Sequence, residues 1–202
     1  MSILPPEQRI AVLELTYQIL FLGSPLLLVA IAHGFCMKYD WLSWLKRPID
    51  LGGRFRGRRV FGDQKTWRGL TISVVFCTLG TLIQAWLQGK GYLPPWILLL
   101  DYRKHLYIVG VLLGLGMTVG ELPNSFIKRQ LDIPPGMRKE GLMGIAFFLF
   151  DQVDLTMGIW IFLFFLVRPS LLMVLWSFLL TFVLHVAISS VGYLAGMRKT
   201  MV

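Results

Sequence analysis

Leu142-Met143-Gly144-Ile145-Ala146-Phe147-Phe148-Leu149-Phe150-Asp151-Gln152-Val153-Asp154-Leu155-Thr156-Met157-Gly158-Ile159-Trp160-Ile161-Phe162-Leu163-Phe164-Phe165-Leu166-Val167 is apolar or small throughout, except around two aspartates. A helix that crosses a bilayer needs about 20 mostly apolar residues, and this run exceeds that. Carboxylates inside such a run are expensive and usually mark a functional site. A spacing of three puts Asp151 and Asp154 on one helical face. There they repel each other unless a cation lies between them, and a hard divalent ion with oxygen ligands suits the pair. The alternative is a charged turn joining two shorter helices.

Working outward, four more stretches qualify or nearly qualify as spans: Ile10 to Cys36, Gly69 to Leu87, Leu106 to Leu122 and Pro169 to Leu194. Hydrophobic residues make up 55% of the 202-residue chain and charged ones 15%, with a mean hydropathy of +0.65. A soluble domain carries about 25% charged residues, and disordered chains are poor in apolar ones. Both classes are excluded. The expected fold is an all-α integral membrane protein of about five transmembrane helices, a single domain over 1–202. Leu93 to Leu100 is too short to span and is expected at the interface, with Trp96 and Tyr102 at headgroup level. Cys36 and Cys77 lie in apolar runs and read as small buried hydrophobes. Glu7 precedes Arg9 and no small-residue cleavage site follows, so a removable signal peptide is not expected.

The net charge of +9 is concentrated between the apolar runs. The loops at about 37–68 and 123–141 and the tail, with Arg198 and Lys199, hold fifteen of the twenty basic residues. The positive-inside rule then gives an N-terminus outside, a C-terminus in the cytoplasm and both loops cytoplasmic. Such loops attract phosphates rather than nucleic acid, because each is tethered to the bilayer at both ends.

Two clusters join the aspartates. In Gly120-Glu121-Leu122-Pro123-Asn124-Ser125-Phe126-Ile127-Lys128-Arg129, continued helicity would align Glu121, Ser125 and Lys128 on one face, with Arg129 beside them. Pro123 would bend that helix. A carboxylate, a hydroxyl and two cations can hold a metal ion and its phosphates; a plain cytoplasmic helix end is the alternative. In the first loop, glycines alternate with Arg54, Arg56, Arg58, Arg59, Lys65 and Arg68. Glycines let backbone N–H groups approach an anion, which suits a polyphosphate or an anionic headgroup. His33, His105 and His185 have no neighbour at metal-ligand spacing and read as core or interface residues.

Gly57-Arg58-Arg59-Val60-Phe61-Gly62-Asp63-Gln64-Lys65-Thr66-Trp67-Arg68-Gly69, Gly120 to Arg129, Asp151-Gln152-Val153-Asp154 and the tail from His185 to Lys199 together resemble the CDP-archaeol synthase family. This is a branch of the CTP-dependent phosphatidate cytidylyltransferases. The resemblance implies that CTP and a phosphatidate-type lipid, diacyl or archaeal diether, give CDP-lipid and pyrophosphate with Mg2+ as cofactor, on the cytoplasmic face of a multi-pass cell-membrane protein. By the family pattern Ser125, Lys128 and Arg129 match a Ser-x-x-Lys-Arg motif. Asp151 and Asp154 match the metal-binding pair, with Glu121 where larger relatives carry aspartate. Arg58, Arg59, Asp63, Lys65, Thr66 and Arg68, with Asn124, are assigned to nucleotide or headgroup. A homodimer is compatible with this reading and not required by it. The competing readings are a non-catalytic lipid carrier or assembly subunit, whose aspartates pair with a Lys or Arg of another helix, and a CTP-dependent polyprenol kinase. A kinase needs a base for its alcohol acceptor, and none is evident.

Overall fold

The computed structural model describes residues 6–134 and 141–194. Arg138, Lys139, Arg198, Lys199 and the side chain of His185 lie outside the described residues. The order is α1 (Pro6–Gly23), α2 (Pro25–Lys38), a two-strand hairpin β1 (Arg54–Phe55) and β2 (Arg58–Arg59), α3 (Trp67–Gly89), α4 (Leu106–Gly120), α5 (Leu122–Gln130), α6 (Gly141–Leu163) and α7 (Leu171–Leu194). Among the described residues, Ala11–Lys38, Trp67–Gly89, Leu106–Gln130 and Gly141–Leu163 are long and apolar enough to cross a membrane. In α7 the described apolar stretch, Leu171–Leu184, is shorter than that. Leu27, Ile31, Phe35, Ile83, Trp86, Ile161 and Leu175 point outward and exposed, as lipid-facing side chains do.

The aspartate run is one continuous helix, so the charged-turn alternative fails: α6 passes through both carboxylates and stops at Leu163. The first apolar run is two helices rather than one. Pro25 has no N–H to give, and the ladder breaks at Ser24. A break at membrane depth must have its freed groups satisfied by neighbours. Here the Phe21 carbonyl accepts from Ser24 Oγ at 2.9 Å and from Gln84 of α3.

The third run also divides. It is helical to Gly120, turns at Glu121 and restarts as α5, with Pro123 in the first turn. A proline there costs no hydrogen bond, because the first N–H groups of a helix have no intrahelical partner. Pro123 therefore starts a helix instead of bending one.

Small residues set the helix spacing. On α4, Gly110 and Gly114 lie against the α3 backbone at Thr78 and Val74, while Gly116 and Gly120 lie against Gly158 and its neighbours on α6. These are two small-xxx-small faces on one helix, which let backbones approach closely in a membrane. The buried core, with Val29, Ile72, Val109, Leu113 and Leu163, runs between α2, α3, α4 and α6.

Residues 93–100 do not span; Pro95–Ile97 is one turn of 3-10 helix. Trp96 is exposed and stands edge-on to Tyr17. Tyr102, expected at the headgroups, is instead fully buried, its ring edge-on to Phe21 at 5.4 Å. Its backbone is tethered to α3, since Tyr102 N donates to Gln88 Oε1 at 2.9 Å. Cys36 and Cys77 are free and buried, as expected.

Candidate active site

The α4–α5 junction carries α5 across the face of α6. Asn124 is buried there, and its Nδ2 donates to Asp151 Oδ1 at 2.6 Å and to Asp154 Oδ2 at 2.7 Å. One turn on, Lys128 Nζ pairs with Asp151 and sits 5.6 Å from the centroid of the Phe147 ring. Phe147 and Asp151 are four apart on α6 and so share a face. The site is graded from wet to dry: the Asp151 side chain is 40% exposed, while Asp154 is 8% exposed.

Glu121 pairs with Lys65 of the first loop and lies close enough to Asp154 to interact electrostatically. The side chains bonded directly to the aspartates are Asn124 and Lys128; of the expected Glu121–Ser125–Lys128 stripe, Lys128 pairs with Asp151 and Glu121 reaches Asp154 through its charge. Ser125 is half-buried one position along, with its N–H on the Glu121 carbonyl at 3.1 Å. Arg129 turns away from the aspartates. Its guanidinium donates to the Ile133 carbonyl and its side chain packs against Gly62, where a Cβ would meet Arg129 Cδ and Nε at 3.3 Å.

The basic loop is built around Asp50, which lies just before the glycine–arginine stretch. Its carboxylate accepts from Gly52 N at 3.1 Å, Phe61 N at 2.9 Å, Gly62 N at 3.1 Å and Arg59 at 2.8 Å. The backbone donors expected to greet a ligand phosphate are thus taken by an internal anion. Burial pushes the Asp50 carboxyl up, but the hydrogen bonds from Arg59 and the three N–H groups outweigh it and hold the group at about 2. The legible signal was the Asp50-Leu51-Gly52-Gly53 sequence, since aspartate before glycine commonly bonds its own turn.

Arg58, Arg59 and Arg68 are engaged too. Arg58 pairs with Asp132 and the Gln130 carbonyl; Arg59 also pairs with Asp63. Arg68 pairs with Asp40, away from the aspartates. Thr66 caps α3, accepting from Gly69 N at 3.2 Å. Arg56 and Gly57 both have positive φ, as a tight two-residue hairpin turn requires. Phe55 of the hairpin meets Phe126 of α5, ring centroids 5.7 Å apart, which seats the loop on the helix that carries Asn124. Lys65 is the loop cation brought nearest the carboxylates.

Among the described residues no three His, Cys, Asp or Glu side chains form a metal-binding group. The donor set is nevertheless chemically apt. Asn124 Oδ1 is buried without a hydrogen-bond partner, beside two carboxylates. The amide nitrogen of Asn124 stands between the two carboxylates, the place a hard cation with oxygen ligands would take, and such a cation would complete its shell with water and phosphate.

A family of CarS-like CDP-archaeol synthases matches residues 16–202. The chain belongs to the CDP-archaeol synthase family. Among its relatives, the CDP-archaeol synthase of Methanosarcina barkeri is 32% identical over 76% of this chain and 89% of its own length. That of Methanosphaerula palustris is 34% identical over 75% of this chain and 87% of its own. The Pyrococcus furiosus CDP-archaeol synthase reaches 43% identity over 47% of this chain and 52% of its own length. No solved structure matches.

Proposed function

We propose that this protein is a CTP-dependent cytidylyltransferase of the membrane, converting an archaeal lipid phosphate to its CDP-lipid with release of pyrophosphate. The observation that carries this reading is family membership over residues 16–202. The Asn124–Lys128–Asp151–Asp154 cluster supplies a place for the chemistry. A lipid phosphate oxygen attacks the α-phosphorus of CTP; that bond forms as the bond to pyrophosphate breaks. Phosphoryl-type transfer of this kind is mostly positioning and electrostatic stabilisation. The attacking phosphate is already anionic, so no side chain need remove a proton.

Asp151 and Asp154, with Glu121 beside them, would hold a divalent magnesium ion, which would supply charge neutralisation to the phosphates. Lys128 exchanges its Asp151 partner for a phosphate oxygen, and Lys65 stands ready to do the same from Glu121. Arg58, Arg59 and Arg129 act by fixing the loop against α5, while Ser125 lies at the edge of the same site. The fifteen clustered basic residues support a cytoplasmic location for it.

The Lys128–Asp151 pair is also what a non-catalytic carrier would contain. One experiment separates the readings: purified protein with labelled CTP, magnesium and a diether lipid phosphate. Labelled cytidine is expected in the lipid, with one pyrophosphate released per turnover. Asp154→Asn should lower the rate about 10³-fold. A parallel reaction holds a polyprenol in place of the lipid phosphate: transfer of the terminal phosphate to that alcohol indicates a kinase, and no transfer in either reaction indicates a carrier.

A further inference from the structure

Among the described residues, an apolar cavity of about 440 Å³ lies between α1, α2, α6 and α7. We propose that it seats one hydrocarbon chain of the lipid whose phosphate reacts at the Asn124–Asp151–Asp154 cluster. This rests on the cytidylyltransferase reading and names the part of the substrate which that reading leaves unplaced.

The register on α6 makes the connection. Leu155, Thr156, Ile159 and Trp160 line the cavity and directly follow Asp154. At 1.5 Å of rise per residue, this lining begins beside the carboxylate and continues for about 9 Å into the span. A lipid anchored by its phosphate at the aspartates would run its chain along that wall.

The lining chemistry selects a chain without polar atoms. Thr156 bonds Thr181 at 3.0 Å, and Trp160 Nε1 donates to Ser177 at 2.7 Å. Ser24 is engaged with Phe21 and Gln84. The polar groups of the wall thus satisfy one another and leave leucine and isoleucine surface to the interior. The volume falls within the ordinary range of ligand pockets and equals about fifteen groups the size of a water or methylene. Leu20, Leu27 and Leu184, at its rim, are exposed on the outside of the bundle, which gives a chain a sideways entry from the bilayer.

Gly23, the last residue of α1, lines the cavity, and a Cβ there would meet no protein atom within 4 Å. Gly23→Phe is therefore the direct test. Its ring would displace at least two methylenes of a chain, each worth about fourfold in affinity. The KM for a long-chain diether phosphate should rise about tenfold, against less than twofold for a short-chain soluble analogue and for CTP. An equal change for both lipids would overturn the proposal.

A second measurement uses wild-type protein and does not depend on how the variant inserts. A lipid phosphate with a photoreactive group at mid-chain should label peptides of α6 and α7 around Trp160 and Leu180. Excess unlabelled lipid phosphate should suppress that label, and excess neutral diether lipid should not. Equal competition by the neutral lipid would mean that any bilayer chain fills the cavity, and no label there would mean that none does; either result sinks the idea. Wild-type protein that labels in this way but forms no CDP-lipid would refute the cytidylyltransferase reading while leaving a lipid-phosphate site in place.

Discussion

Gly120→Ala should cripple the protein although it adds one methyl group. The Cβ would lie 2.6 Å from Gly158 Cα and 2.7 Å from the Asp154 carbonyl oxygen, about 0.8 Å inside the 3.4 Å at which ordinary contact begins. Both are backbone atoms of α6, so no side chain can rotate away. Either α4 and α6 separate or α6 slides, and the segment that must move carries Asp154. Overpacking of this kind costs about 1–3 kcal/mol, and a misplacement near 1 Å in a reacting site costs about 10²-fold in rate. Helix propensity works in the opposite direction, because alanine is favoured over glycine in a helix by about 0.5–1 kcal/mol. A loss must therefore come from packing. The assay is CDP-lipid formation from labelled CTP at equal inserted amounts, beside thermal unfolding of the detergent-solubilised protein. Gly34→Ala is the control, since a Cβ there meets nothing within 4 Å. Full activity and unchanged stability in Gly120→Ala would refute the close α4–α6 contact and the placement of Asp154 that depends on it.

Lys128→Ala should reduce CDP-lipid formation far more than Lys90→Ala, because a hydrogen bond from a cation to phosphate contributes about 1.5–3 kcal/mol; equal activities would leave Lys128 a helix-end marker. Asp50 should make the loop acid-labile. With its carboxyl held at about 2 against the usual 3.8, its contribution is complete above about pH 5 and disappears as pH falls through 2. The shift corresponds to about 2 kcal/mol, so amide exchange at Phe61 and Gly62 should be faster in Asp50→Asn at neutral pH, and the difference from wild type should vanish near pH 2. An Arg54→Cys variant should be labelled only from the cytoplasmic side; labelling from outside in intact cells would reverse the proposed topology.

The membrane class, the positions of the main spans and the carboxylate pair could all be read from the sequence alone. Each rests on a local property: the length of an apolar run, or the cost of a charge within it. The first loop was legible as a basic, glycine-rich element, but its internal logic was not. Only folding brings the Phe61 and Gly62 N–H groups onto Asp50, eleven and twelve residues back, and so converts an apparent phosphate cradle into a self-satisfied turn. The α4 glycines were visible as letters, yet which pair meets α3 and which meets α6 depends on where those helices lie.

The same division runs through the candidate site. Asp151 and Asp154 announce themselves because the bilayer penalises them wherever they point. Asn124 stands out only by its place in the family motif, since a polar residue after a proline at a helix end carries no penalty until α5 crosses α6. Past the turn at Glu121, α5 places Asn124 and Lys128 in direct contact with the aspartates, while Glu121 reaches Asp154 through its charge alone. Tyr102 follows the same rule: an aromatic near the interface reads as a belt residue, but in the fold its backbone bonds Gln88 of α3 and its ring lies in the core. Hydrophobic length and buried charge are properties of a segment, and the sequence determines them by itself. Which side chains meet is a property of helix rotation and backbone spacing, and the tertiary packing alone decides it.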